Sequence, residues 1–500
     1  MSSWSGNCAI TPPLKRRQVI IGASSGAAAA LATSSMLAGG AALARPTKEA
    51  FGRTLSVRDV GARGDGVHDD TEAIQAAIDE AEAVYLPAGV YRITRAIRLR
   101  SNRHVFGAGA ATLVRNDQTA DKPDERSAFL LGDHHPAAFR RDIRPDWRYP
   151  TFALKPVRET DSTVTLITQK DVGALQDNEF VWLRSAEEVN FGEWVNPHYL
   201  QLTKVDGIDK QHGTIELADP AEFTIQQAYL SPIRAIDPYL DCPFFAVENV
   251  TIENMFLDAY TWGGLRYCAY RCLIRDLEIK NACHILVGNC LTQCLVENIK
   301  GTFVQRFIEI KNGTSWSHFR NIRGRYLNPS GLEVSRPWET GERAFGLTFE
   351  DCHLTLDVNY PSSLPAVEIK TTMTKLVRCT VRDARLESRQ IVVHVPHARG
   401  PSNRRIAFDG VEIFANGPRA YVLVGSTAAQ EDYLAPGLVT VRGCGFRDAA
   451  GNRQYIVVQG GAHVSLVANE FDDGEVLLEG GQASFGENVG LRTWSRKSDG

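Results

Sequence analysis

The phrase Ile252-Glu253-Asn254 returns 22 residues later as Ile274-Arg275-Asp276, and again 22 residues later as Val296-Glu297-Asn298. It continues as Phe319-Arg320-Asn321 and Phe349-Glu350-Asp351. Weaker copies follow at Val377-Arg378-Cys379, Phe408-Asp409-Gly410, Val441-Arg442-Gly443 and Val467-Ala468-Asn469. The third step is 23 residues, and later steps stretch to between 26 and 33. A chain with this period and short apolar runs stacks coils on one another, so each coil buries its apolar residues only against its neighbours. A coil of about 22 residues with short strands fits a parallel β-helix. The third position of each phrase is a bend, where Asn and Asp tolerate a left-handed backbone and can stack as a ladder. Extra residues in the longer coils are expected as loops on one face, where binding sits.

Upstream of the repeats, Gly64-Asp65-Gly66, Asp69-Asp70-Thr71, Ala73-Ile74-Gln75-Ala76-Ala77-Ile78 and Tyr85-Leu86-Pro87-Ala88-Gly89-Val90-Tyr91 follow in one order. Ile74, Ala77, Ile78 and Ala81 fall at helical spacing. Asp69 and Glu72, three apart, predict a capping box. Asp65, Asp69 and Asp70 read as turn and cap residues rather than catalysts. As a unit this stretch resembles the N-terminal cap of the pectate-lyase-like right-handed β-helix superfamily. The resemblance covers about a tenth of the chain. It implies an all-β, right-handed parallel β-helix (a solenoid) with an N-terminal capping α-helix.

Four segments follow. Residues 1–44 read as a twin-arginine signal: Lys15-Arg16-Arg17-Gln18-Val19-Ile20-Ile21, an alanine-rich stretch, and Ala42-Leu43-Ala44 as the cleavage site. The expected destination is the periplasm or the medium. Residues 51–150 hold the cap and first coils, with 116–149, charged and proline-punctuated, expected as a loop. Residues 151–235 break the period and read as a small β insertion, with strands at 164–167, 180–183, 200–203 and 214–217. Residues 236–490 form the main helix. No apolar run after the signal is long enough to span a bilayer.

The whole chain carries a formal charge of -4. Removing Lys15, Arg16 and Arg17 leaves the mature chain at -4 - 3 = -7. That argues against nucleic acid as a partner. Ten cysteines include one, Cys8, in the signal. Cys268 and Cys272 recur 22 residues on as Cys290 and Cys294, so stacked core thiols explain them better than a zinc site.

Chemistry is expected about ten residues after each ladder position. There the strands read His284–Asn289, Phe307–Lys311, Leu332–Arg336, Val367–Lys370 and Ile391–His394. Alternation turns Ile308 and Ile310 inward and Glu309 and Lys311 outward. Stacking then brings Glu309, Lys311, Glu333, Glu368, Lys370 and His394 onto one wall, with coils about 4.8 Å apart. Residues 300–343 hold eight Lys and Arg against four Glu, a local +4 that would attract an anionic polymer. Trp316, Tyr326 and Trp338 are candidate sugar-stacking rings.

Glu309-Ile310-Lys311, then Phe319-Arg320-Asn321 and Gly331–Arg336, resemble the active-site strands of β-helical alginate lyases and chondroitinase B. The resemblance implies Lys311 as the base in a β-elimination and Arg336 as its acid or carboxylate partner. His284, Arg306, Glu309, Glu333, Trp338, Lys370 and His394 would bind substrate. A lysine among arginines loses proton affinity, which suits a base near neutral pH. No counterpart of that family's calcium ligands is evident, which leaves calcium open. Two other readings stay open: a hydrolase using Glu309, Glu333 and Glu368 at a separation near 6.5–9.5 Å, and a glycan-binding β-helix without catalysis. The expected partner is an acidic polysaccharide or oligosaccharide, with the chain a monomer or homotrimer.

Overall fold

The computed structural model describes residues 54–117, 127–132, 151–185, 188–191, 194–197, 199–233, 246–259, 265–267, 269–311, 313–326, 337–341, 344–357, 364–385, 391–398, 404–416, 420–426 and 434–496. The signal segment therefore lies outside the described residues.

Three parallel sheets wind along one axis. Sheet A begins with Thr54–Ser56, Ala83–Leu86 and His104–Gly107, and gains one strand per coil through Thr251, Leu273, Leu295, His318 and onward to Gln482–Phe485. Sheet B stacks Asp65–Asp69, Gly89–Ile93 and Thr112–Asn116, then the second part of each coil. Sheet C includes Phe307–Lys311, Trp338–Thr340, Val367–Ile369 and Ile391–Val395. Leu273–Asn289 and Leu295–Lys311 each run 17 residues and bend through all three sheets. One apolar core fills the inside from Leu55 to Leu478. The architecture is the expected parallel β-helix.

The bend between sheets A and B is the ladder. Asn254, Asp276, Asn298, Asn321 and Asp351 all take positive φ, between 50° and 58°. Asn298 Nδ2 donates to Asp276 Oδ1 at 2.9 Å, and Asn321 Nδ2 to Asn298 Oδ1 at 2.9 Å. In the weaker copy at 377–379 the bend falls on Arg378, φ 49°, because Cys379 is turned into the core. Cys272 and Cys294 stack as expected: the Cys272 amide donates to the Cys294 sulfur at 3.5 Å. Phe319 and Phe349 stack at 4.9 Å between ring centroids.

The cap helix runs Thr71–Glu80 and buries Ile74, Ala77 and Ile78. The expected capping box does not form. Asp69 Oδ1 accepts from the Thr71 amide, and Asp69 Oδ2 from the Thr94 hydroxyl. Glu72 pairs with Arg95 at 2.8 Å instead of reaching back. Asp70, fully buried, accepts the amides of Arg63 and Gly64 at 2.7 and 3.0 Å and ties down the preceding loop. Asp65 accepts the amides of Val67 and His68. Asp65 and Asp69 serve the turn and the start of the helix, as read, whereas Asp70 stands at the N-cap position without a side-chain cap bond and anchors the preceding loop instead.

The loop expected over 116–149 contains a strand, Phe129–Leu131. Its four-residue apolar run, Ala128 to Leu131, is buried and pairs with Ile97–Arg98 and Leu265–Tyr267. The insertion forms a six-stranded antiparallel sheet from Phe152–Leu154, Thr163–Thr165, Phe180–Ser185, Leu200–Asp209, Thr214–Leu217 and Ala228–Pro232. It docks on the β-helix through Lys204–Glu248 at 2.8 Å and Tyr270 Oη to Asp219 at 2.7 Å. Among the described residues no helix is long and apolar enough to cross a membrane.

Candidate functional site

The outer face of sheet C is set by alternation. Ile308, Trp338 and Val367 share one register row and face the core, as do Ile310, Thr340 and Ile369. The row between them faces out and reads Glu309, Glu339, Glu368 and His394 on four successive coils. Glu339, which alternation on the sequence had not placed there, thus takes the position expected for Glu333. Glu333 and Arg336 lie outside the described residues.

Cations interleave with these carboxylates. Arg306 Nη1 pairs with Glu309 and lies 3.4 Å from Glu339. Lys311 Nζ pairs with Glu309 and lies 3.7 Å from Glu339. Lys370 Nζ bridges Glu339 at 3.2 Å and Glu368 at 2.8 Å. His394 Nδ1 stands 3.4 Å from Glu368. The Lys311 stem passes over Gly341, where a Cβ would come within 2.9 Å of it.

Depth separates the two charges. The Lys311 side chain is 33% exposed, against 9% for Glu309 and 7% for Glu339. Lys370 is likewise 21% exposed over a Glu368 at 3%. The wall shows ammonium and guanidinium tips to the outside and keeps its carboxylates beneath them. Burial works against the Glu309 charge, but Lys311 and Arg306 outweigh it and hold that carboxyl below its ordinary range. Burial is also the main reason that the His284 imidazole is lowered to about 4, with Arg306 and Lys311 adding to it.

Several expectations change here. His284 lies under the wall, 3.7 Å from Glu309, and does not line its surface. Trp338 is fully buried, edge-on to Phe307 and Phe349, so it offers no face to a sugar. Tyr326 is buried too, leaving Trp316, 44% exposed, from the expected aromatic set. The local +4 splits: Arg306 and Lys311 are on sheet C, whereas Lys300, Arg323 and Arg325 are on sheet B. Lys311 is in direct contact with Glu309 and near Glu339, whereas the argument for a lowered proton affinity placed it among arginines. Glu309, Lys311, Glu368, Lys370 and His394 do share one wall, as expected, and Arg306 joins them.

The insertion closes one edge of this wall. The Leu200 carbonyl lies 3.0 Å from where a Cβ on Gly313 would stand, and Phe223 packs edge-on against Phe345 at 4.9 Å. Phe345 in turn meets Trp316 at 5.3 Å. Burial, reinforced by Asp219, pushes the Glu222 carboxyl well up, with Ser315 and Trp316 of the neighbouring coil beside it. Nothing in the sequence could have joined Glu222 to a coil some 90 residues away. Among the described residues no group of three or more His, Cys, Asp or Glu is arranged to hold a metal ion.

Residues 54–128 match the profile of the rhamnogalacturonase A/epimerase, pectate lyase-like family. The scaffold is a parallel β-helix whose first coils are pectate-lyase-like in sequence. Within the curated proteins, the chain is 49% identical over 71 residues to mannuronan C5-epimerase AlgE1 of Azotobacter vinelandii, covering 12% of this chain and 5% of that one. It is 45% identical over 71 residues to alginate lyase 7 of the same organism, covering 12% of this chain and 8% of that one. A third match, 39% identical over 91 residues, is the plasmin and fibronectin-binding protein A of Streptococcus pneumoniae, covering 17% and 12%. The likeness to these relatives therefore spans a small part of their length. Along most of the β-helix, the tailspike gp61 of Pseudomonas phage phi297 superposes with a TM-score of 0.54 at 11% identity, over 86% of this chain and 80% of that one. That likeness is one of fold.

Proposed function

We propose that this pectate-lyase-like β-helix is an exported enzyme that cleaves an acidic, uronate-containing polysaccharide by β-elimination on sheet C. The observation that carries the reading is the layering of charge: Lys311, Lys370 and Arg306 stand outward over glutamates that are at most 9% exposed. An anionic sugar meets cations first, and the carboxylates behind hold those cations in place. In the reaction, Lys311 first gives up its ammonium proton to solvent, and the neutral amine then takes the proton from the carbon beside the uronate carboxylate. The electron pair left behind forms the C=C bond as the glycosidic C–O bond breaks, and the leaving oxygen takes up a proton. Arg306 and Lys370 neutralise the substrate carboxylate, which acidifies that carbon. Arg336 is retained as the partner at the leaving group. The layering disfavours hydrolysis, because Glu309, Glu339 and Glu368 sit beneath the cations.

A second reading shares the first step. The cap's match to mannuronan C5-epimerases favours it: proton removal followed by return from the opposite face inverts the carbon without cleavage. Ultraviolet absorbance across a panel of uronate polymers separates the outcomes. An unsaturated product that falls by at least roughly 100-fold in Lys311→Ala is expected. Inverted uronates by proton NMR without absorbance would replace elimination by epimerisation. New reducing ends without absorbance would mean a hydrolase, and retention without any product a binding protein.

A further inference from the structure

Sheet B carries a second charged surface that the chemistry above does not use. Lys300, Arg323 and His353 occupy one register row, and Arg325 and Arg382 occupy the row two positions along. Together with Gly301, Gly324, Leu354, Thr355 and Thr380 they line an open trough of about 480 Å³, and no Asp or Glu is among its lining residues. Inward glycines shape this part of the sheet: a Cβ on Gly324 would fall 2.1 Å from the Phe307 ring, which fills that space.

Three of the cations are held by neighbours. The Arg382 guanidinium carbon stands 4.1 Å from the centre of the Phe414 ring. Lys300 is tethered to Glu278 at 2.7 Å, and Arg323 Nε donates to Asn321 at 3.1 Å. His353 reports the local field: burial first and then Arg323 disfavour its proton, Asp351 opposes them, and Arg382 adds a smaller push in the same direction as Arg323. Acids bound the trough at both ends. Asp276 and Glu278 line the adjoining hollow on one side. Beyond Thr380 stands Glu412, whose carboxyl is raised by burial and by the nearby Glu470. The cationic stretch therefore spans four coils, roughly 14 Å at about 4.8 Å per step. A long phosphate chain would run onto acids at either end, whereas a short run of carboxylates would not.

We infer that this trough is a binding site for a few consecutive carboxylate-bearing sugars, separate from sheet C. Arg325 and Arg382 supply guanidinium forks that match carboxylates two at a time. The choice of ligand class rests on the reading of sheet C; the site itself rests on the trough. A polymer held here is kept at high effective concentration near the working face.

The test is affinity electrophoresis of the full mature chain through gels containing alginate, polygalacturonate or hyaluronan, with a parallel gel containing short duplex DNA. Retardation by at least one glycan is expected, weakened roughly tenfold or more in Arg325→Ala/Arg382→Ala. Arg325→Glu, a change on an exposed side chain, should weaken it further than Arg325→Ala, which guards against misfolding of the double variant. Retardation of the double variant equal to that of the unaltered chain, or no retardation in any glycan gel, overturns the proposal. Retardation by DNA alone overturns the ligand class. If no polymer is converted yet the arginine variants still lose retardation, the trough stands and the sheet C reading falls.

Discussion

His284 is the residue through which the sheet C wall should feel pH. Its imidazole is lowered to about 4 in the fold, mainly by burial, against about 6.5 in an unfolded chain. Between those values the unfolded chain takes up a proton that the native chain refuses. The stabilisation is therefore complete above about pH 6.5 and is lost as pH falls toward 4. His318, His353 and His397 are shifted in the same direction, also chiefly by burial. Glu309, held below its ordinary range, continues the loss at still lower pH. Thermal melts from pH 7 to 4.5 should show a falling Tm, with a shallower slope in His284→Gln. An unchanged slope would remove His284 as a source.

Among the elements, the cap depends most on a single side chain. Asp70 alone satisfies two amides of the loop before the cap helix while fully buried. Asp70→Ala should cost about 1.5–3 kcal/mol, read as a lower denaturation midpoint in urea. Asp69→Ala should cost less, because that side chain is partly exposed. The comparison of the two variants checks that anchoring of the loop, and not a helix cap, is what Asp70 supplies.

At the scale of the molecule, one solenoid core joins a cap at one end to a working face some 250 residues later, with a β insertion at its edge. The proposed export adds a requirement that the chain fold before it leaves the cytoplasm. In a bacterial host, Arg16→Lys/Arg17→Lys should leave the precursor in the cytoplasm, and the exported chain should begin at Arg45 by N-terminal sequencing. Export of the double variant at the normal level would overturn the twin-arginine reading.

The scaffold is written in short-range pattern. The 22-residue phrase, the bends at Asn254 through Asp351 and the cap helix are all local patterns, legible because each coil repeats the same short-range choices. Alternation also put Glu309 and Lys311 on the outside. Register, wherever a coil grows, was settled by long-range pairing. Between Asn321 and Asp351 the step is 30 residues, and loop length places no limit on which segment pairs. The sequence favoured 332–336 as the rung, but the chain pairs Trp338–Thr340 with Ile308–Ile310. That choice buries Trp338 against Phe307 and Phe349 and turns Glu339 outward. A constant spacing was the available signal: Glu309 precedes Phe319 by ten residues, and Glu339 precedes Phe349 by ten. Charge followed the same rule. Counting gave one patch of +4, but neighbours along the chain fall on different sheets, so the fold divides it into a layered wall on sheet C and an open trough on sheet B. Sequence sets which charges exist; stacking sets which of them meet.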